Sequence, residues 1–507
     1  MIGAHCRYTN TYDQRKPYLM GLRRSLFTAV FACVGSFLFG YDSGVITNVI
    51  AQEHFVGRFS STTSAEQGGI VSSYTGGAVI GSLLLYYMGD RLRRTKSIFV
   101  GAVIVSFGCA LQAGCNSIGM LIAGRLIAGI AIGILSTANP VYCSEVAPPS
   151  WRGAMTGLQQ WMLSWGYLAA QWIGYGSSFA NSDFQWRFPL AFQCIPAVIL
   201  AVGILFQLES PRWLCEKGRN EEAREVLHKL HYDGSNQEFL DLEYREICEA
   251  IELERKLAVK SWSGLFAKKS WRRRLALACG IQLATQTSGI NVINYYGPKI
   301  YAALQIDTQT SLMIIGISGA LSVVWCTIGL WLLEGIGRIK PLVVSCYGMA
   351  ACLLINAVLS QTIDPSTSTN HNALRASVAM NFLISFFFTP LGINSWVYPA
   401  EIFPTEIRQR GNSLSTVTNW IFNVVFAQVS PIALEAVGYR YFYAFMVFNL
   451  IAGTCFLFLF PETKGKTLEQ IGELFGDQSV HLVDDTTKHT EGYEEKTVGG
   501  VDEKSSS

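Results

Sequence analysis

Long apolar runs separated by short polar segments set the pattern of this 507-residue chain. A helix crossing the hydrocarbon core of a bilayer needs about 20 such residues. Runs of that kind lie near 26–50, 70–88, 98–115, 119–143, 154–176 and 189–207, then near 275–302, 311–333, 341–360, 376–399, 412–435 and 442–460. They predict an all-α membrane protein with twelve transmembrane helices in two six-helix halves, 26–207 and 275–460. A segment 1–25 precedes the first half, a linker 208–274 joins the halves, and a tail 461–507 follows. Within the linker, Asn220-Glu221-Glu222 reads as a helix start, and Ala223, Val226, Leu227 and Leu230 recur at helical spacing. Short amphipathic helices are expected there. From about Gly476 the tail is acidic and almost free of apolar residues, which predicts disorder.

Charge supports the map. Charged residues are 15% of the chain against 50% hydrophobic, too few to solvate so much apolar surface in water. Lys+Arg 39 against Asp+Glu 37 leaves no basic excess, so no nucleic-acid partner is expected. With both termini placed in the cytoplasm, only Arg58, Arg187, Lys299, Arg375 and Arg440 fall on the outer side, and Arg125 falls inside a span. All other basic residues lie on the inner side, as the positive-inside rule requires. The N-terminus has no short signal-type core, so the first run is expected to stay as a span. The cysteines show no CxxC pairing and read as buried small hydrophobes, with no metal site.

The two halves repeat each other. Val141-Tyr142-Cys143-Ser144-Glu145 returns as Val397-Tyr398-Pro399-Ala400-Glu401. Gly89-Asp90-Arg91 after span 2 answers Gly335-Ile336-Gly337-Arg338 after span 8, and Glu209-Ser210-Pro211-Arg212 after span 6 answers Pro461-Glu462-Thr463-Lys464 after span 12. Duplicated halves of spanning helices are the architecture of alternating-access carriers, with a site between them at mid-membrane.

Four motifs then carry a resemblance: Gly124-Arg125 with Gly129 and Gly133, Glu209-Ser210-Pro211-Arg212-Trp213-Leu214, Gln286-Thr287-Ser288-Gly289-Ile290-Asn291, and Pro461-Glu462-Thr463-Lys464-Gly465. The chain resembles the sugar porter family of the major facilitator superfamily over nearly all of 26–470, and in general look its fungal hexose and pentose carriers. The resemblance implies the major facilitator fold and transport of a monosaccharide, with no cofactor and no enzymatic activity. The chain departs from the family pattern at Arg93, Leu208, Thr285 and Ile393.

A sugar offers hydroxyls around its rim and C–H faces, so its site wants amides and aromatic rings. Amides are costly inside a membrane unless paired. Gln160, Gln286, Asn291, Asn294, Asn419 and Asn423 nevertheless occupy spans, beside Tyr295, Tyr296, Trp396 and Trp420. Interhelical hydrogen bonds are the alternative use of each amide, and helix packing that of Trp420 and Tyr296. Gln286, Asn291 and Asn294 are expected on one helical face. By resemblance the sugar contacts are Gln160, Gln286, Asn291, Tyr295, Trp396 and Asn419, with Thr285 standing where a second glutamine would be.

Asp42 is the one carboxylate well inside a span, and Arg125 lies at similar depth, so the two are expected to pair and to serve proton coupling. Arg94, Glu145, Arg152, Glu209, Arg212, Arg338, Glu401 and Arg408 gather at inner helix ends and are expected to close the inner gate through salt bridges between the halves. The expected partners are a monosaccharide, a proton and the lipid bilayer, with a monomer as the functional unit in the plasma membrane. A uniporter, a carrier of a polyol, quinate or sugar acid, and a transporter-like sugar sensor are the alternatives.

Overall fold

Every apolar run is helical, as one helix or as two in succession, in the computed structural model, which describes residues 19–476 except 60–62, 89–91, 149–151, 233–235, 258–262, 304–305, 363–370, 405 and 465–467. The tail expected to be disordered lies outside the described residues. Among those described there is no β-strand. The first half begins with α1 (Leu19–Ala32) and α2 (Val34–Val49), which together make one span, and a short α3 (Glu53–Arg58). It continues through α4 (Ser64–Met88), α5 (Arg94–Ala113), α6 (Ile118–Val146), α7 (Arg152–Ser177) and the pair α8 (Phe184–Phe192) and α9 (Cys194–Ile204). The linker holds α10 (Pro211–Glu216), α11 (Asn220–His231) and α12 (Gln237–Leu257). The second half opens with α13 (Lys269–Gln286) and α14 (Ile290–Ala303), then α15 (Thr308–Ile336), α16 (Ile339–Thr362), α17 (His371–Ile402), α18 (Arg408–Val437) and α19 (Tyr441–Leu459). A separate unit, 465–507, contains α20 (Leu468–Leu474).

Nine stretches of the described residues are long and apolar enough to cross a membrane, and one of them, Arg410–Leu459, covers nearly all of α18 and the whole of α19. The two spans outside that set are α7 and α13–α14. The first carries polar side chains of the cavity described below, while α13 opens on Lys269, Arg272, Arg273 and Arg274 and α14 has 14 residues. The bundle thus has twelve spans, the fold expected.

Large apolar side chains such as Phe206, Trp331 and Phe458 are 82%, 81% and 77% exposed on the bundle surface. A soluble protein avoids such a display, whereas lipid tails satisfy it. Inside the first half the backbones come close. A Cβ added to Gly129 would lie 2.0 Å from the Tyr74 carbonyl oxygen, and one on Gly133 2.3 Å from that of Ala78. Only glycine allows α6 to lie so near α4.

Prolines inside the helices leave orphaned carbonyls four residues back, because proline has no N–H. Five of these are taken by side chains from other helices. Gln159 Nε2 donates to Ser136 O, freed by Pro140, at 3.4 Å. Ser177 Oγ donates to Gln185 O, freed by Pro189, at 2.8 Å. Thr47 Oγ1 donates to Asn294 O, freed by Pro298, at 2.7 Å. Gln282 Nε2 donates to Ser395 O, freed by Pro399, at 2.8 Å. Tyr296 OH donates to Ala427 O, freed by Pro431, at 2.7 Å. Each freed carbonyl becomes a cross-helix tie, and Thr47–Asn294 ties the two halves together.

The linker helices pack on their own apolar cluster, which includes Trp213, Leu227, Leu240 and Ile251. They also dock on the first half. The buried His231 ring bridges Glu243 Oε2 at 2.9 Å and the Val146 carbonyl at 3.1 Å, and Ser25 Oγ donates to Leu230 O at 3.1 Å.

Candidate functional site

The site arises where span 7 breaks. α13 ends at Gln286 and α14 begins at Ile290, with Gly289 between them at φ +87°, a left-handed conformation that suits glycine. A Cβ there would also meet the Phe445 ring at 3.0 Å. The expectation of one continuous helical face for Gln286, Asn291 and Asn294 is therefore corrected. The residues converge because the helix is interrupted, not because it runs on.

Around this break lies a cavity enclosing about 1070 Å³, the part open to solvent included. Gln160 of α7, Thr285 and Gln286 of α13, Asn291 and Tyr295 of α14, Trp396 of α17 and Asn419 of α18 all line it. So do Asn294 and Asn423, and from the first half Phe39 and Ser43 of α2. Residues from both halves thus share one polar chamber in the middle of the bundle.

The amides are ordered by each other. Asn291 Nδ2 donates to Gln286 Oε1, Gln286 Nε2 to Asn419 Oδ1 at 3.0 Å, and Asn419 Nδ2 to Gln282 Oε1 at 2.7 Å. Tyr295 OH reaches Asn423 Oδ1 at 3.5 Å, and Tyr167 OH reaches Asn294 Oδ1 at 3.4 Å. The Thr285 hydroxyl donates to the Ile281 carbonyl of its own helix at 2.9 Å. Trp420 does not line the cavity. It is buried against Phe39 and Tyr74, with ring centroids 5.2 and 6.5 Å away, a packing role. Small hydroxyl residues were missed from sequence: Ser318 and Ser322 of α15 and Ser385 and Thr389 of α17 also line the cavity. Single serines and threonines inside apolar spans commonly bond their own helix, so nothing in the pattern set these apart.

Asp42 and Arg125 stand behind the cavity wall, each side chain 1% exposed, with Arg125 Nη1 3.3 Å from Asp42 Oδ1. Arg125 Nε also donates to the Ile70 carbonyl at 2.8 Å, and its guanidinium lies 5.1 Å from the Tyr74 ring centroid. Asp42 Oδ2 is buried without a hydrogen-bond partner among the described residues. The neighbouring Ser43 lines the cavity, so the pair is one residue removed from it.

At the linker end the sequence repeat becomes an atomic one. Arg94 grips Glu145 through Nε and Nη2, both at 3.2 Å, and Arg338 Nη2 lies 2.9 Å from Glu401 Oε1. Glu209 accepts the main-chain N–H groups of Arg94 and Thr95 at the start of α5, at 3.1 and 3.4 Å. Glu462 likewise accepts those of Arg338 and Ile339 at the start of α16, with Arg338 at 2.9 Å and Ile339 at 3.0 Å. Burial pushes the Glu462 carboxyl up, but the backbone donors of Ile339, Arg338, Lys464 and Thr463 outweigh it and hold it below the usual carboxylate range.

For two pairs the expectation of salt bridges between the halves is corrected: Arg94–Glu145 and Arg338–Glu401 each join helices of the same half. In each pair the arginine stands at a helix N-terminus and the glutamate in the last turn of the next helix of the same repeat, so each half forms a clamp of its own. Arg408 Nε donates to the Phe403 carbonyl at 3.2 Å, again within its half. Arg212 sits in the first turn of α10. The Arg152 side chain lies outside the described residues. Glu462 was missed as a site residue, although the repeat contains it opposite Glu209.

Other side chains hydrogen-bond across the two halves. Toward the end remote from the linker, Ser72 Oγ donates to Gln428 Oε1 at 2.7 Å and Gln428 Nε2 to the Ala65 carbonyl at 3.2 Å. Trp161 Nε1 donates to Thr327 Oγ1 at 3.0 Å between α7 and α15.

Comparison with known proteins agrees with this arrangement. The family described as sugar (and other) transporter matches residues 28–475. The MFS-type transporter criB of Aspergillus cristatus is 37% identical over 465 residues, covering 91% of this chain and 96% of that protein. A high-affinity glucose transporter of Kluyveromyces lactis is 31% identical over 488 residues, covering 93% and 88%. The structure of the proton:xylose symporter XylE bound to 6-bromo-6-deoxy-D-glucose superposes with a TM-score of 0.75 at 23% identity, over 90% of this chain and 100% of that one, a likeness of fold. These relatives are transporters and not enzymes, and the chain belongs to the sugar porter family of the major facilitator superfamily.

Proposed function

We propose that this protein carries a monosaccharide, a hexose or pentose, across the plasma membrane by alternating access, coupled to a proton. The observation that carries the reading is the cavity: seven side chains, from five helices and both halves, turn amides, a hydroxyl and two aromatic rings toward one space. A ring of donors and acceptors with aromatic faces matches a polyhydroxylated ring that carries no charge. The K. lactis relative, a glucose transporter by name, supports a hexose.

Alternation needs rigid halves and breakable ties between them. The clamps Arg94–Glu145 and Arg338–Glu401 stiffen each half, while Ser72–Gln428 and Thr47–Asn294 must part when that end opens. The buried Asp42–Arg125 pair is the coupling element of this proposal. Protonating Asp42 cancels its attraction for Arg125 and favours a rearranged packing of α2 and α6 beside the cavity. Cells lacking hexose carriers, expressing this chain, are expected to take up labelled glucose or xylose and to alkalinise the medium as they do. Uptake with no pH change and no response to a protonophore would make the protein a facilitator. No uptake across the sugar panel would refute the reading.

A further inference from the structure

Two features described above meet at Gln282, a buried residue that does not itself line the cavity. Pro399 removes the N–H that would bond the Ser395 carbonyl, and Gln282 Nε2 takes that carbonyl at 2.8 Å. A main-chain carbonyl only accepts, so Gln282 must turn its amide nitrogen to it. Its Oε1 is then left for Asn419, whose Nδ2 donates at 2.7 Å. The order propagates: Asn419 Oδ1 accepts from Gln286 Nε2, and Gln286 Oε1 accepts from Asn291 Nδ2. An amide turned by half a revolution would set oxygen against oxygen and N–H against N–H at its neighbour. Four side chains that could otherwise swap donor and acceptor therefore hold one orientation.

We propose that Gln282 is a positioning residue that sets the hydrogen-bonding polarity of the ligand cavity. Anchored on the carbonyl that Pro399 frees, it makes Asn291, at the cavity end of the chain of amides, present its Oδ1 as an acceptor. The site thereby selects a ligand hydroxyl that donates at that place. This inference rests on the reading of the cavity as a sugar site. Packing alone would not require the chain to have a direction, and direction is what the anchor supplies.

The test uses the full-length protein and D-glucose with its mono-deoxyfluoro analogues as competitors of uptake. A C–F group cannot donate, so the ring position served by Asn291 identifies itself by weakened competition. In the wild type one position is expected to lose at least about 5-fold in apparent affinity on fluorination, the lower end of what an unmade buried hydrogen bond costs. Gln282→Leu frees Asn419 to turn, and Pro399→Ala restores a backbone donor to Ser395 O that competes with Gln282. Both variants are expected to bring that ratio within about 2-fold of unity while still binding glucose. Pro399→Ala keeps Gln282 in place, so it also tests the mechanism where Gln282→Leu assembles poorly. An active variant of either kind with the wild-type fluorine profile would overturn the role of Gln282, as would a wild-type profile flat around the ring. Wild-type protein that binds no sugar in the panel would refute the cavity reading and this proposal together.

Discussion

Removing one partner of the Asp42–Arg125 pair separates transport from coupling, and the structure sets the size of the effects. The groups are 3.3 Å apart with both side chains 1% exposed. At an effective dielectric of about 20 their attraction is about 5 kcal/mol, and much of it is offset by the cost of desolvating both. Truncating a buried partner strands the other charge, at about 3–5 kcal/mol. Arg125→Leu should therefore lower the thermal stability of the purified protein strongly, because Asp42 Oδ2 already lacks a partner and Oδ1 would lose its own. Asp42→Asn keeps an oxygen for Arg125 Nη1 and should cost less. Its functional effect is predicted to be sharper. A gradient of one pH unit supplies about 1.4 kcal/mol per proton, enough for about tenfold accumulation of sugar at one proton each. In proteoliposomes with an acidic exterior, wild type should reach that ratio and lose it on addition of a protonophore. Asp42→Asn should equilibrate sugar at a ratio of about one while still exchanging labelled for unlabelled sugar at a measurable rate. Accumulation by Asp42→Asn that a protonophore still collapses would refute the coupling role. So would a stability order in which Asp42→Asn is worse than Arg125→Leu.

Other outcomes follow from the same geometry. Gln286→Ala and Asn291→Ala each remove a member of the amide chain and should weaken apparent sugar affinity by about 5- to 150-fold in uptake competition, at about 1–3 kcal/mol per lost buried partner. Glu145→Gln and Glu401→Gln loosen the clamp within one half. They should slow turnover several-fold while equilibrium sugar binding stays within about 2-fold, and a loss of binding in proportion to turnover would contradict this. Glu462 has a depressed carboxyl, so its capping of α16 adds stability above the unfolded value of about 4.3 and loses it as pH falls through the lower folded value. Glu462→Gln should then lower the unfolding midpoint at pH 7, with the difference from wild type shrinking below about pH 4.

Much of this protein was legible in its sequence, because membrane burial is written residue by residue. A span must be apolar over about 20 residues whatever it packs against. Helix number, the duplicated halves and the helical linker could all be read along the chain for that reason. The polar residues of the cavity were legible on the same ground, since an amide or carboxylate inside a span is expensive and has to be used. Pairing was not legible. Arg94 could as well have met a carboxylate of the other half, and only the packing of α5 against α6 brings it to Glu145. The break at Gly289, which converts a presumed helical face into a junction of two helices, depends on a left-handed turn set against the Phe445 ring. Gln282 reads in the sequence as one more amide in a span. Its role appears only when Pro399, more than a hundred residues away, leaves a carbonyl beside it. Hydrogen bonds are short and directional, so their partners are chosen by how helices pack and not by the local sequence that builds each helix.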